Sequence, residues 1–291
     1  MNVSISIQLK KILIPTDFSE TSEKAMNYAA YLASRLNSEI ILFHNIDVPI
    51  VSSGDMVFTG DVSELQKIAS AQLKKTSAEL KAKYPQLNVS YTVSIGVASQ
   101  EILLKCKTEG FDLVIMGSNG TSGVFEVIFG SVTKAVIANC SCPVLTVPLN
   151  SSETSPVKVA FATNFDDHEL QSLFLLTELL RPFKSEINVI HVGKISDMKK
   201  QDDLLTYFRG QVQANINYEN IRYHVLESDD VEIALEEFIL ENKMEWLAIA
   251  KRKRNLFDQL TSKSLTNKLH HHSYIPLLVF HATTPSGTPL F

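Results

Sequence analysis

DLVIMGSNGTSGVFEVIFGS, residues 112–131, is the stretch from which the fold of this chain can be read. Asp112 to Met116 is a short apolar run that stops at Gly117, the pattern of a buried strand that brings the backbone to the edge of a sheet. Gly120 and Gly130 follow, and Ser131 stands just ahead of the helical pattern VTKAVIANC. Glycine meets two needs in such a place: positive φ in a tight turn, and a backbone bare enough for a ligand to approach closely. Ser131 is a good helix N-cap, and a helix N-terminus gathers unpaired N–H groups and partial positive charge. Strand, glycine turn and helix start together make an anion cradle, and phosphate is the ligand that suits it best.

The spacing selects among phosphate motifs. A P-loop requires G-x-x-x-x-G-K-[ST], and no lysine follows these glycines. The dinucleotide fingerprint G-x-G-x-x-G belongs in an early strand-to-helix turn with an acidic residue about 20 positions further on. The stretch instead resembles the ATP-binding signature of the universal stress protein family, G-2x-G-9x-G-[ST], here Gly117, Gly120, Gly130 and Ser131. KKILIPTDFSE at 10–20 and CPVLTVP at 142–148 are similar to the family's first and last strands. The resemblance implies ATP, with Mg²⁺ held largely by the phosphates. It implies that Pro15, Thr16 and Asp17 meet adenine and ribose, the Asp17 carboxylate accepting from a hydroxyl. Asn45 stands where the family usually has an aliphatic residue whose backbone faces adenine. Gly117 would lie against the ribose and α-phosphate, Ser118, Asn119 and Gly120 would line the turn, and Gly130, Ser131, Val132 and Thr133 would hold the outer phosphates. Ala98 stands where the family often has proline, at a helix start away from the phosphates.

With 291 residues the chain is longer than one ordinary domain, and 45% apolar with 20% charged residues is the composition of a soluble globular protein. A net charge of −5 argues against a general nucleic-acid binder, which needs a clustered basic face. No apolar run approaches the roughly 20 residues of a membrane span, and MNVSISIQLKK lacks the order of a signal peptide. The expectation is a cytoplasmic protein without membrane contact. Three cysteines fit that compartment; Cys140 and Cys142, one residue apart, read as small buried hydrophobes rather than a redox pair, and no metal site is expected.

Apolar periodicity predicts strands at 11–17, 39–44, 89–95, 112–116 and 144–147, alternating with helices at 19–35, 63–83, 98–108 and 131–138. The pattern then repeats. KILIPTDF at 11–18 aligns with KVAFATNF at 158–165; the same displacement aligns Ser38-Glu39-Ile40 with Ser185-Glu186-Ile187 and His44 with His191. A shorter displacement aligns IPLLVF at 275–280 with CPVLTV at 142–147. The expected fold class is α/β: two tandem Rossmann-like, doubly wound domains, 1–148 and 157–291, joined by a polar linker at 149–156, each a five-stranded, mainly parallel sheet with helices on both faces. The last strands, 143–147 and 276–280, are short and apolar, and unpaired edges of that kind seek partners. The resemblance implies an intramolecular pseudo-dimer through these strands, with a homodimer of the whole chain also open.

The phosphate chemistry sits in one copy. Asp17 becomes Asn164, and Gly117, Gly120 and Gly130 become Ala250, Lys253 and Lys263, leaving Ser264 alone of the signature. The basic run at 251–254 reads as a solvated loop or an inherited anion site, and His270, His271 and His272 are adjacent on a helix and cannot converge on one metal ion. The resemblance therefore implies a regulatory protein of the stress response that binds ATP in its first domain. No dedicated catalytic residue stands out; a slow ATPase and a nucleotide-independent dimerisation scaffold are the alternatives.

Overall fold

The structure, a computed structural model, describes residues 9–47, 61–118, 129–194, 198–251 and 275–281. They fall into two compact units, one ending at Leu149 and the other beginning at Asn150.

In the first unit β1 (Lys11–Pro15), α1 (Glu20–Leu36), β2 (Glu39–Ile46), α2 (Val62–Lys83), β3 (Val89–Ile95), α3 (Ala98–Glu109), β4 (Leu113–Gly117), α4 (Ser131–Asn139) and β5 (Val144–Val147) alternate without interruption. The strands lie in the order β3-β2-β1-β4-β5, all parallel. β1 is flanked on both sides and covered on both faces, so Ile12, Leu13 and Ile14 have no exposed surface; β3, at the outside, follows a mixed pattern. α1 packs over β1, β4 and β5, and α2 over β2 and β3, while α3 and α4 pack on one another. Chain direction along the sheet reverses between β3 and β4, which puts α1 and α2 on one face and α3 and α4 on the other under the right-handed crossover rule.

The second unit repeats this plan. β6 (Lys158–Ala162), α5 (Asp167–Leu180), β7 (Glu186–Gly193), α6 (Met198–Asn215), β8 (Ile221–Glu227), α7 (Val231–Glu241), β9 (Trp246–Lys251) and β10 (Leu277–His281) form a parallel sheet in the order β8-β7-β6-β9-β10. The repetition reaches single hydrogen bonds. The Ser38 hydroxyl donates to the Leu9 carbonyl and the Ser185 hydroxyl to that of Pro156. The Asp112 carboxylate accepts from the Lys10 and Lys11 N–H groups, as Glu245 does from Val157 and Lys158. Phe18 and Phe165 adopt φ of 62° and 59°, and Asn37 and Lys184 close their helices with φ of 57° and 54°. Asp112 therefore belongs to the turn before β4 rather than to the strand, its side chain holding the start of β1 in place.

Candidate functional site

The carboxyl ends of β1, β2 and β4 and the N-terminus of α4 surround a cavity of about 350 Å³. This is the crevice where strand order reverses, the place at which open α/β sheets receive ligands. Pro15, Thr16, Asp17, Asn45, Gly117, Gly130, Ser131, Val132 and Thr133 all line it. Ser118 does not: it is buried, its N–H donates to the Val147 carbonyl, and its own carbonyl accepts from the Gly130 N–H, so its backbone joins β4 to β5 and to the cap of α4. Asn119 and Gly120 lie outside the described residues.

The turn after β1 is a closed hydrogen-bonded unit. Thr16 N–H donates to the Phe43 carbonyl at 2.8 Å, and the Thr16 hydroxyl accepts from Phe18 N–H at 3.0 Å and pairs with the Ser22 hydroxyl at 2.9 Å. His44 Nδ1 donates to the Thr16 carbonyl at 2.8 Å, with its ring 4.4 Å from that of Phe18. These bonds turn the exposed Asp17 toward the crevice mouth. Its Oδ1 accepts from the Ser19 N–H at 3.0 Å and the Ser19 hydroxyl at 2.5 Å. Burial pushes the Asp17 carboxyl up, but its hydrogen bonds to Ser19, with a further one to Ser22, outweigh that and hold it below its ordinary value. Asp17 thus stands as an anion, an acceptor only.

On β2, the Asn45 side chain has an orientation set by its neighbours. Its Nδ2 donates to the Gly96 carbonyl at 2.7 Å and to Asp47 Oδ1 at 2.9 Å. Both partners are pure acceptors, so the amide cannot be turned round. Gly96 presents that carbonyl from a φ of +150°, which residues with side chains rarely adopt. Asn45 Oδ1 is left buried with no hydrogen-bond partner among the described residues, in a residue that also lines the cavity. A buried acceptor of this kind is costly to leave unpaired. The sequence offered Asn45 as a backbone contact; the side chain was the missed feature.

Two expectations about the glycine stretch are corrected. Ser131 is the first residue inside α4, and Gly130 is its N-cap, with φ −56° and ψ 157° and its carbonyl accepting from Lys134 N–H at 2.9 Å. A cap without a side chain leaves the first-turn N–H groups unclaimed from that position, facing the cavity. Nor is positive φ the reason for glycine at 117 or 130. A Cβ on Gly117 would stand 2.8 Å from Thr21 Cγ2 and 3.0 Å from the Thr21 carbonyl oxygen, so glycine here lets α1 approach β4. Thr133 is tied as well, its hydroxyl donating to the Gly117 carbonyl at 3.2 Å. Ser19, Ser22, Phe43 and Asp47 also line the cavity and were not singled out in the sequence; Ser19 carried a signal, as the N-cap of α1.

In the second unit the matching turn is closed from within. The counterpart of Ser22 is Glu169, 2% exposed, whose carboxylate accepts from the Thr163 hydroxyl at 2.5 Å, the Asn164 N–H at 2.8 Å and the Asp166 N–H at 3.2 Å. Of the basic run, Lys251 is the last residue of β9; Arg252 to Arg254, Lys263, Ser264 and His270 to His272 lie outside the described residues.

A doubly wound, parallel α/β unit with a polar crevice at its switch point is a Rossmann-like domain, and comparison with known proteins gives its family. The model of the Universal stress protein family matches residues 8–148. Universal stress protein MJ0577 of Methanocaldococcus jannaschii is 31% identical over 162 residues, which cover 51% of this chain and 100% of that protein. YxiE of Bacillus subtilis, also named a universal stress protein, is 29% identical over 146 residues, 47% of this chain and 97% of the relative. A universal stress protein from Archaeoglobus fulgidus, solved by crystallography, shares the fold over 95% of this chain and 100% of its own, with a TM-score of 0.75 at 19% identity. The chain belongs to the universal stress protein family. No helix among the described residues is long and apolar enough to cross a membrane.

Proposed function

We propose that the first unit binds one adenine nucleotide, ATP with its Mg²⁺ carried largely by the phosphates, and that the protein serves as a regulatory, nucleotide-responsive member of its family. The observation that carries this reading is the convergence, on one cavity of about 350 Å³, of the ionised Asp17, the unpaired Asn45 acceptor and the open N-terminus of α4. The size falls within the roughly 300–1,000 Å³ of small-molecule sites. Each end of a nucleotide has a matching group: Asp17 accepts from a ribose hydroxyl, the first-turn N–H groups of α4 take phosphate oxygens, and Asn45 Oδ1 accepts from the exocyclic amine of adenine. Guanine, with a carbonyl where adenine has that amine, would set two acceptors face to face. The second unit, with its turn closed by Glu169, is read as a structural partner without a nucleotide site of this kind. From the sequence we also read residues 143–147 and 276–280 as partnered within one chain, which a cysteine pair placed in those strands would test by crosslinking in dilute protein.

Calorimetric titration of the full chain with MgATP tests the nucleotide reading. One site per chain is expected, with GTP at least about tenfold weaker, the ratio that 1.4 kcal/mol of mismatch gives. Two equivalent sites, or no heat and no retained nucleotide, would refute it.

A further inference from the structure

The chain has three cysteines, and they meet. Cys106 lies in the last turns of α3, Cys140 is the C-cap of α4, and Cys142 sits just before β5. All three are buried, and their sulfurs lie within 4.8 Å of one another, with Cys140 and Cys142 at 3.6 Å. We propose that this cluster is a site for one thiophilic metal ion, bound through three sulfurs in the trigonal arrangement suited to monovalent copper.

The geometry carries the argument. A metal at about 2.3 Å from each of three sulfurs requires them to be about 4.0 Å apart. One pair stands at 3.6 Å and none exceeds 4.8 Å, so small side-chain adjustments complete the site. No histidine or carboxylate joins the group among the described residues, and all three cysteines are buried. Three thiolates with nothing else select a soft ion that accepts three-coordination, whereas zinc asks for a fourth ligand. On loading, three S–H bonds give way to three sulfur–metal bonds and the protons pass to solvent. Without a metal, Cys106 and Cys142 are poor nucleophiles: the hydrogen bond with Cys140, then burial, pushes the Cys106 thiol up against a lowering bond with Cys142, and hydrogen bonds with Cys106 and Cys140, then burial, push the Cys142 thiol up. A peroxide-reactive cysteine is therefore not the role this cluster suits.

The position gives the ion a consequence. Cys106 is one turn beyond Ile102, which lines the cavity, and Cys140 ends the helix whose first turn lines it. A metal here would fasten α3 to α4 at the ends away from the crevice.

The test uses the full chain, reduced and free of oxygen, loaded with Cu⁺ and separately with Zn²⁺ and passed through a desalting column with a weak competing chelator. One equivalent of Cu⁺ is expected to be retained by the folded chain, and X-ray absorption should report three sulfur neighbours at about 2.3 Å. Cys106→Ser and Cys142→Ala should each lower retention at least a hundredfold while leaving the circular dichroism of the apo protein unchanged. Should either variant unfold, the absorption spectrum of the wild type still decides. Failure to retain Cu⁺, retention of Zn²⁺ in preference to it, or fewer than three sulfur neighbours would overturn the proposal. The outcome is independent of whether the crevice binds a nucleotide.

Discussion

Gly117→Ala separates two reasons for a glycine at the end of β4. If the residue is bare so that a nucleotide can approach, the substitution costs affinity and leaves the apo fold alone. The structure argues for the other reason. The added methyl would lie 2.8 Å from Thr21 Cγ2, 3.0 Å from the Thr21 carbonyl oxygen and 3.1 Å from its carbonyl carbon. The Thr21 methyl can rotate away; the carbonyl cannot, since it belongs to the first turn of α1. Restoring ordinary contact, near 3.5 Å, requires α1 to retreat from β4 by about 0.5 Å, along an interface where Ala25 and Ala29 are fully buried. Overpacking of this size costs about 1–3 kcal/mol. The second unit carries Ala250 at this position with its own helix, α5, against β9, so the fold should survive. Urea unfolding of the nucleotide-free chain, followed by far-ultraviolet circular dichroism, should show a destabilised first unit. The chain's one tryptophan, Trp246, is buried in β9 and reports the second unit separately. A wild-type unfolding profile together with lost ATP binding would refute the packing argument and return Gly117 to the ligand.

Ser22→Glu imports the residue that closes the second unit; it should lower ATP affinity at least tenfold while leaving the apo protein as stable as wild type or more so, and unchanged affinity by calorimetry would count against the closure argument. Gly130→Lys, the residue of the second copy, should abolish ATP binding with little change in apo unfolding, since φ −56° at this cap is open to any residue; an unfolded variant would instead mark a structural glycine. Asn45→Leu should bring ATP and GTP affinities within about threefold of each other by weakening ATP, and retained discrimination would show that another group reads the base. Asp17, held below its ordinary value near 3.8, adds stability that is present above that value and lost as the pH falls through its lower folded value. Asp17→Asn should therefore lower stability by a constant amount across about pH 5 to 8 and flatten the acid limb below about pH 4, the difference from wild type shrinking as the pH falls, whereas a difference that grows toward low pH would contradict this sign.

The fold was legible because its signals are local. The run KILIP is apolar without alternation, as a strand covered on both faces must be, and Val89–Ile95 carried its strand pattern to the last residue. The site was legible at the level of which segments converge, since strand ends and helix starts follow from the fold. What escaped was the use made of each atom. Ser118 carries the right residue type in the right motif, yet its backbone is taken up by Val147 and Gly130. The orientation of the Asn45 amide is set by Gly96, far along the chain, and its Oδ1 has no hydrogen-bond partner among the described residues. Sequence spacing contains neither fact. The cysteines were read correctly as buried, but their meeting depends on how α3 packs on α4, which no local pattern encodes.

The second copy supplies the control that a single sequence lacks. Thr163, Phe165 and His191 keep the hydrogen bonds and ring contact of Thr16, Phe18 and His44, with the histidine bond at 2.9 Å and the rings 4.7 Å apart. Those three residues therefore serve the fold of the turn, because they persist where the phosphate signature has gone. Pro15, Asp17, Ser19 and Ser22 are among those that changed, to Ala162, Asn164, Asp166 and Glu169, and Glu169 now supplies from inside the protein a carboxylate bonded to two backbone N–H groups. An anion acceptor placed within the chain at the end of β6 satisfies the donors that the turn exposes there. On the proposed reading the first unit leaves its crevice to a ligand while the second supplies its own acceptor, and the exchange of serine for glutamate at this position is one of the changes that separate them.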